Sequence, residues 1–261
     1  MKKKKKLFYL GISAASLFLF VLIWELATDV FHLFTPQLLP SPVAVVKTFV
    51  FKLTSKPPDG GTLLVHIFTS LKVALTGYLL GALIGISLGI SMGWFKTVDK
   101  LVKPLFDFLR NIPPVAWITL FIIWFGIGVF SKAMIIFIGS FIATVVNSSA
   151  GIKQTKDVHI YVAKTFGASN LEVLWKVAVP SALPLIFTGL KVGLSMSWMA
   201  LVAAELIAAS NGLGYMIQIA RAFGRPDIVI VGMLTIAGMG AVLTGIVEAL
   251  ERKLVKGSGR Y

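Results

Sequence analysis

Few residues in this 261-residue chain have a type and spacing suited to chemistry. Glu205 stands alone in the apolar stretch Leu201–Ala208. An ionisable group in such surroundings is costly, so it faces a bundle interior or water. A structural hydrogen-bonding role and a place on a permeation path both remain open for it. It is one carboxylate, and the apolar runs offer no proton-relay partner. Glu25 and Asp29 close the first apolar run, where solvation accounts for them. His32, His66 and His159 are far apart in sequence, and no pair has metal-ligand spacing. The chain has no cysteine, which excludes disulfides, iron–sulfur clusters and thiolate zinc sites. It holds no Walker A lysine, no G-x-S-x-G, no H-E-x-x-H and no paired carboxylates at useful spacing. No catalytic residue and no metal site are therefore expected. If the chain moves a solute uphill, the energy source lies in another molecule.

Two further patterns bear on transport. Gly77, Gly81, Gly85, Gly89 and Gly93 recur at every fourth position of one apolar run. On a helix such a row drifts about 40° per step and forms a slowly winding groove that a neighbouring backbone can approach closely. Tight helix packing is the first reading, and a face that re-packs during transport is the second. Asn111-Ile112-Pro113-Pro114 removes two amide donors and resists helix continuation upstream. It reads as the break at the start of a helix, or as a broken helix lining a cavity, where irregular backbone is tolerated in a membrane. Glu205, Asn111, Pro113 and Pro114 are the candidates for a translocation path.

The elements that position these residues follow from composition. Hydrophobic residues make up 57% of the chain and charged residues 14%, against about 25% in soluble proteins. The mean hydropathy is +0.88. A soluble enzyme and a disordered chain are both excluded. A spanning helix needs about 20 apolar residues, and six are expected, near 7–29, 65–93, 105–129, 132–151, 182–207 and 227–250. The fold class is an all-α polytopic membrane protein. The first apolar run follows Lys2–Lys6 and lacks a clear small-x-small cleavage site, so it reads as an uncleaved helix.

The net charge of +14 would suggest nucleic acid in a soluble protein. Here it is a topology signal, and no nucleic-acid partner is expected. Lys and Arg concentrate at Lys2–Lys6, in Lys96 to Arg110, in Lys153 to Lys176 and in Arg252 to Arg260. They outnumber Lys47, Lys52, Lys56, Lys132, Arg221 and Arg225 of the other segments, which puts both termini inside. Of the outer segments, 31–64 is proline-rich, and Val43–Leu53 within it reads as an amphipathic interfacial helix. Residues 208–226 are too polar to span and read as a re-entrant or outer helix. Three regions result: 1–64, a first spanning helix and outer amphipathic segment; 65–253, the transmembrane core; and 254–261, a cytoplasmic tail.

The longest inner loop, about 152–180, carries charges of both signs around a central glycine. It runs from Tyr161 through Ala163, Gly167, Ala168 and Ser169 to Pro180. A helix–Gly–helix knob anchored by a proline at the next span is a rigid lever, able to transmit the closure of a docked motor protein. The loop resembles the pattern E-A-A-x3-G-x9-I-x-L-P, the signature of permease subunits of ABC importers. Ala163 takes the second alanine, with Gly167, Val177, Val179 and Pro180 in register; Tyr161 replaces the glutamate and Val162 the first alanine. In that family the glutamate resembles a charged contact to the ATPase, so its replacement removes one salt bridge.

Further blocks resemble the nitrate/sulfonate/taurine/bicarbonate-type branch. These are Ser70–Gly81, Ile112–Trp117, Trp124–Gly128, Ala203–Ala209 and Gly212–Met216. The resemblance covers about 65–253; a tryptophan often found after Leu250-Glu-Arg-Lys253 is absent. It implies a type I importer permease fold in the cell membrane and a non-catalytic chain with no cofactor of its own. It further implies a second permease copy, two cytoplasmic ATPases that bind ATP and Mg, and an extracytoplasmic solute-binding protein. The implied solute is a small anion such as an aliphatic sulfonate or taurine, or nitrate or bicarbonate. An importer for a neutral or aromatic solute, such as a pyrimidine vitamin precursor, and a standalone channel or carrier are the alternatives.

Overall fold

The computed structural model describes residues 2–255, so all but the first two residues of the 254–261 tail lie outside it. The described residues form helices α1 (Lys2–Glu25), α2 (Pro42–Thr54), α3 (Leu63–Trp94), α4 (Lys96–Leu109), α5 (Trp117–Phe125), α6 (Val129–Lys153), α7 (Asp157–Thr165), α8 (Asn170–Val173), α9 (Val179–Ile207), α10 (Leu213–Ala222) and α11 (Pro226–Leu254). Among the described residues, five stretches are long and apolar enough to cross a membrane: Gly11–Val30, Leu63–Trp94, Val129–Lys153, Asn170–Ile207 and Pro226–Leu254. With α4 and α5 as a bent pair the count is six. Five of the six expected spans are continuous helical stretches.

The expected third helix, 105–129, is not one helix. α4 begins at Lys96, the chain breaks at Arg110–Pro113, and the axis turns by 71° before α5. The cause is the proline pair. Pro113 is extended at φ −56° and ψ 139°, and Pro114 opens a 3-10 turn, where its missing amide costs nothing. The fifth span differs in the other direction. Expected at 182–207, it is part of a helical rod that starts at Asn170. Pro180 therefore does not separate the knob from the span. Pro180 has no N–H for the carbonyl four residues back, and the rod passes it through the wide turn Leu174–Ala178.

The bundle is built around α3 and α6. The glycine row of α3 lies against α6 along its length. A Cβ on Gly81 would sit 2.6 Å from the Phe137 carbonyl oxygen, one on Gly89 2.7 Å from Val145 O, and one on Gly93 2.6 Å from Ile152 Cβ. Cβ atoms on Gly77 and Gly85 would collide with Ala133 O and Thr144 Oγ1. The two backbones are close enough for Ser140 Oγ of α6 to donate to Tyr78 O of α3 at 3.0 Å. Small residues thus do in this interface what a hydrophobic driving force cannot do in lipid. α9 packs on the other side of α6, where Ser197 Oγ donates to Ile136 O at 2.9 Å.

α1 stands at the edge. Most of its apolar side chains from Leu17 to Ile23 are exposed, which suits contact with lipid, and Trp24 Nε1 ties it to Pro40 O at 3.1 Å. The segment Val43–Leu53, expected to be helical, forms α2, which buries Thr48 and Lys52 and exposes Val46, Phe49 and Val50. Ser41 caps it by accepting from Ala44 N at 3.3 Å, and Pro42 occupies its first turn. Thr48 Oγ1 fastens α2 to α11 by donating to Asp227 Oδ2 at 2.8 Å. The segment 208–226 contributes α10, folded back against α9 and α11.

Candidate functional site

The knob between α6 and α9 is built by two capping motifs. α7 ends in a Schellman turn: Ala168 N–H donates to Ala163 O at 3.1 Å and Gly167 N–H to Lys164 O at 2.9 Å. That turn needs a left-handed residue, and Gly167 supplies it at φ +82°. Ser169 then starts α8 with a capping box. Its Oγ accepts from Glu172 N at 3.3 Å, and Glu172 Oε2 accepts from Ser169 N at 3.0 Å. Ala163, Gly167, Ala168 and Ser169 are thus the frame of one corner.

The corner carries an apolar face outward. Val158, Tyr161, Leu171 and Trp175 are exposed, and Phe166 at its tip is 87% exposed. Glu172 is engaged by Ser169 and by Lys176 Nζ at 3.0 Å. Large apolar side chains held out on a rigid turn mark a protein-docking surface. The continuous helical stretch Asn170–Ile207 leads away from it, through the wide turn Leu174–Ala178.

Glu205 lies at the far end of that rod, 1% exposed. Ser70 Oγ lies 2.8 and 2.9 Å from its two oxygens, and Gly214 N–H donates to Oε2 at 2.9 Å. Ser70 Oγ in turn accepts from Leu213 N–H at 2.9 Å. The carboxylate therefore sits on the N-terminus of α10, where the helix dipole favours negative charge. A Cβ on Gly214 would lie 2.6 Å from Glu205 Cβ, and one on Gly212, at φ +124°, would collide with the carboxylate itself.

A second buried chain joins this one. His66 Nδ1 accepts from Gly212 N–H at 3.1 Å, which leaves the ring proton on Nε2. Nε2 faces Asp59 Oδ2 at 2.8 Å, and Lys52 Nζ meets Asp59 Oδ1 at 2.6 Å and Gly61 O at 2.8 Å. Lys52 and His66 are 0% exposed. Burial alone would push the Asp59 carboxyl up; hydrogen bonds from His66 and Lys52, with the Lys52 charge, outweigh it and hold the carboxyl below its ordinary 3.8. Two polar chains thus clamp the 55–62 loop, α3, α9 and α10 together at one end of the bundle.

The residues read from the sequence do not converge on one place. Asn111 Nδ2 bonds back to Asp107 O at 2.6 Å and finishes α4, and Pro113 and Pro114 form the bend. Among the described residues no hydrogen bond joins that bend to Glu205. The clamp residues Lys52, Asp59, His66 and Ser70 are additional. Their one sequence signal is His66 and Ser70 at i, i+4, two polar residues on one side of a helix that starts as the apolar run Leu63–Val65. Among the described residues no group of three His, Asp or Glu has the geometry of a metal site.

Residues 77–256 match the family model described as binding-protein-dependent transport system inner membrane component. The chain belongs to that family. This permease is 39% identical to the taurine transport system permease protein TauC of Escherichia coli K12, over 90% of this chain and 85% of that protein. It is 34% identical to the putative aliphatic sulfonates transport permease protein SsuC of Bacillus subtilis, over 92% and 85%. It is 31% identical to the nitrate import permease protein NrtB of Synechococcus elongatus, over 76% and 72%. Its fold is similar to that of a chain of the MetNI methionine ABC transporter in an inward-facing conformation, with a TM-score of 0.64 at 15% identity over 74% of this chain and 96% of that one. The permease is therefore a multi-pass membrane component of an ABC importer. Its family works with an ATPase and a binding protein. These relatives do not favour the neutral-solute importer or the standalone carrier.

Proposed function

We propose that this permease works as one of two identical copies in an ATP-driven importer of a small anion. Aliphatic sulfonates and taurine are the first candidates, with nitrate or bicarbonate as inorganic counterparts. The chain itself is non-catalytic. Two cytoplasmic ATPases bind the ATP and Mg and dock on the knob at Tyr161 and Phe166. A solute-binding protein meets the opposite face. Both termini and the knob lie on the cytoplasmic side, in keeping with the crowding of Lys and Arg there.

The observation that carries this reading is the rod from the knob to the clamp. Asn170–Ile207 has 38 residues, roughly 55 Å at 1.5 Å each. An ATPase that closes on the knob tilts α9 as a unit. Glu205 then passes that tilt to α10 and α3 through Gly214 and Ser70, and in this mechanism it holds a gate element rather than the solute. The bent pair at Asn111, Pro113 and Pro114 lines the path, and the glycine row keeps α3 and α6 in register while it moves. ATP binding turns the cavity outward and hydrolysis resets it.

The test is affinity purification of the tagged chain in mild detergent, with mass spectrometry of what it retains. Recovery of an ABC ATPase at about one per permease copy is the predicted result. A stable permease that retains no ATPase would contradict the reading.

A further inference from the structure

We propose that the groove between α4 and the second half of α6 is a station for a small organic anion in transit, with Lys103 as the group that attracts its charge. The proposal rests on the importer reading above and assigns a solute site within this chain.

α4 has three faces. Val98, Val102 and Phe106 pack with Met92 of α3 and with Phe141 and Val145 of α6. Leu101, Leu105 and Phe108 form a second, exposed apolar stripe suited to lipid. Asp99, Lys103, Asp107 and Arg110 form the third stripe, at the spacing that stacks residues on one side of a helix. The helix does not lie flat on the bundle end. Asp99 meets Lys153, the last residue of α6, whereas Phe106 meets Val145 and Phe141, two to three turns back along α6. The charged stripe is therefore carried up beside α6 toward the bend at Pro113. Charges in that setting face water or a cavity, not lipid.

A cavity of about 180 Å³ is there, lined by Lys103, Phe106, Arg110, Val146, Ser149 and Lys153 among others. Its charge is unbalanced. Asp99 is taken by Lys153 at 2.8 Å and Asp107 by Arg110 at 3.1 Å. Lys103 lies one turn from each carboxylate, yet among the described residues no carboxylate comes within ion-pair distance of its ammonium. The groove thus offers one uncommitted cation above an apolar floor of Met92, Phe106 and Val145, with the Ser149 side chain at the wall. That combination fits an anionic head group on a short organic body. A single ammonium attracts without trapping, which conduction through a series of sites requires.

The absence of native cysteine makes Lys103→Cys a clean probe. The permease is reconstituted in proteoliposomes with its ATPase and binding protein, with taurine as solute. Lys103→Gln should lower uptake per ATP hydrolysed about tenfold, the scale of one charge-assisted hydrogen bond. Lys103→Arg should keep at least half, and binding-protein-stimulated hydrolysis should stay within about twofold of wild type. Lys103→Cys should react with membrane-impermeant methanethiosulfonates, the cationic reagent restoring uptake and the anionic one abolishing it. Wild-type uptake by Lys103→Gln and Lys103→Glu would overturn the proposal, as would a Lys103→Cys that the reagents cannot reach. Absence of ATP-driven uptake in the wild type would count against the importer reading instead, and labelling of Lys103→Cys would still decide whether the groove is water-lined.

Discussion

Ser70 and Glu205 are 135 residues apart in sequence, and the Ser70 hydroxyl lies 2.8 and 2.9 Å from the two carboxylate oxygens. The same hydroxyl accepts from Leu213 N–H, and the same carboxylate accepts from Gly214 N–H. One serine and one glutamate thus dock the start of α10 onto α3 and α9. Glu205→Ala leaves Gly214 N–H and Ser70 Oγ buried without an acceptor. The expected cost is about 3 kcal/mol, read as a lower midpoint of thermal unfolding in detergent. Ser70→Ala should cost less, about 1–2 kcal/mol, because Gly214 still holds the carboxylate. Equal stability of Glu205→Ala and wild type would show that Glu205 does not clamp α10.

The glycine row can be tested against its own control. Gly81→Val places atoms on the Phe137 carbonyl, so α3 and α6 must separate. Overpacking of this kind costs about 1–3 kcal/mol, and the variant should lose most of its folded yield. Gly238 and Gly245 of α11 have open space where a Cβ would go, and alanine there should be tolerated. Comparable losses at Gly81 and Gly245 would mean that close helix approach is not what the row provides.

Much of this was legible from sequence, and the reason differs by element. The glycine row was, because close approach requires small residues at a fixed spacing on one helix. So was the break at Pro113–Pro114, because proline removes the amide locally. The length of α4 was not, since Lys96, Lys100 and Lys103 read as loop charges, whereas the structure carries all three on one helix. The clamp was not either. Lys52 read as an outer surface charge but is fully buried, because its partner Asp59 lies across a turn whose path depends on packing. Pro180 read as the boundary of a lever, yet the wide turn before it lets the helix continue.

Gly167 separates folding from coupling. Nothing lies within 4 Å of where its Cβ would be, so the difficulty for a larger residue is the backbone angle alone. Holding a non-glycine residue left-handed costs about 1–2 kcal/mol. Gly167→Val should insert and purify normally but lose most ATP-driven uptake, because the Schellman turn opens and Phe166 is no longer held out. Gly167→Asn, which tolerates the left-handed region, should keep more activity than valine. Full transport by the valine variant would take the lever role away from this corner.

Acid should loosen the end that holds Asp59. A carboxyl held below its ordinary 3.8 in the folded state adds stability above that value and loses it as pH falls through the depressed one. The unfolding midpoint of the wild type should therefore be insensitive to this group from pH 7 to about 5 and fall below about pH 4. Asp59→Asn should start lower at pH 7, by about 3 kcal/mol for a buried pair broken on one side, and show a shallower acid limb. Identical acid limbs in the two proteins would show that Asp59 is not held as described.

The most direct measurement of the importer role is solute uptake into proteoliposomes that contain the purified permease, its co-purified ATPase and its solute-binding protein. The expected result is accumulation of taurine or a related sulfonate that stops when ATP, the ATPase or the binding protein is left out. Accumulation that persists without ATP, or flux driven by a gradient through the permease alone, would contradict it.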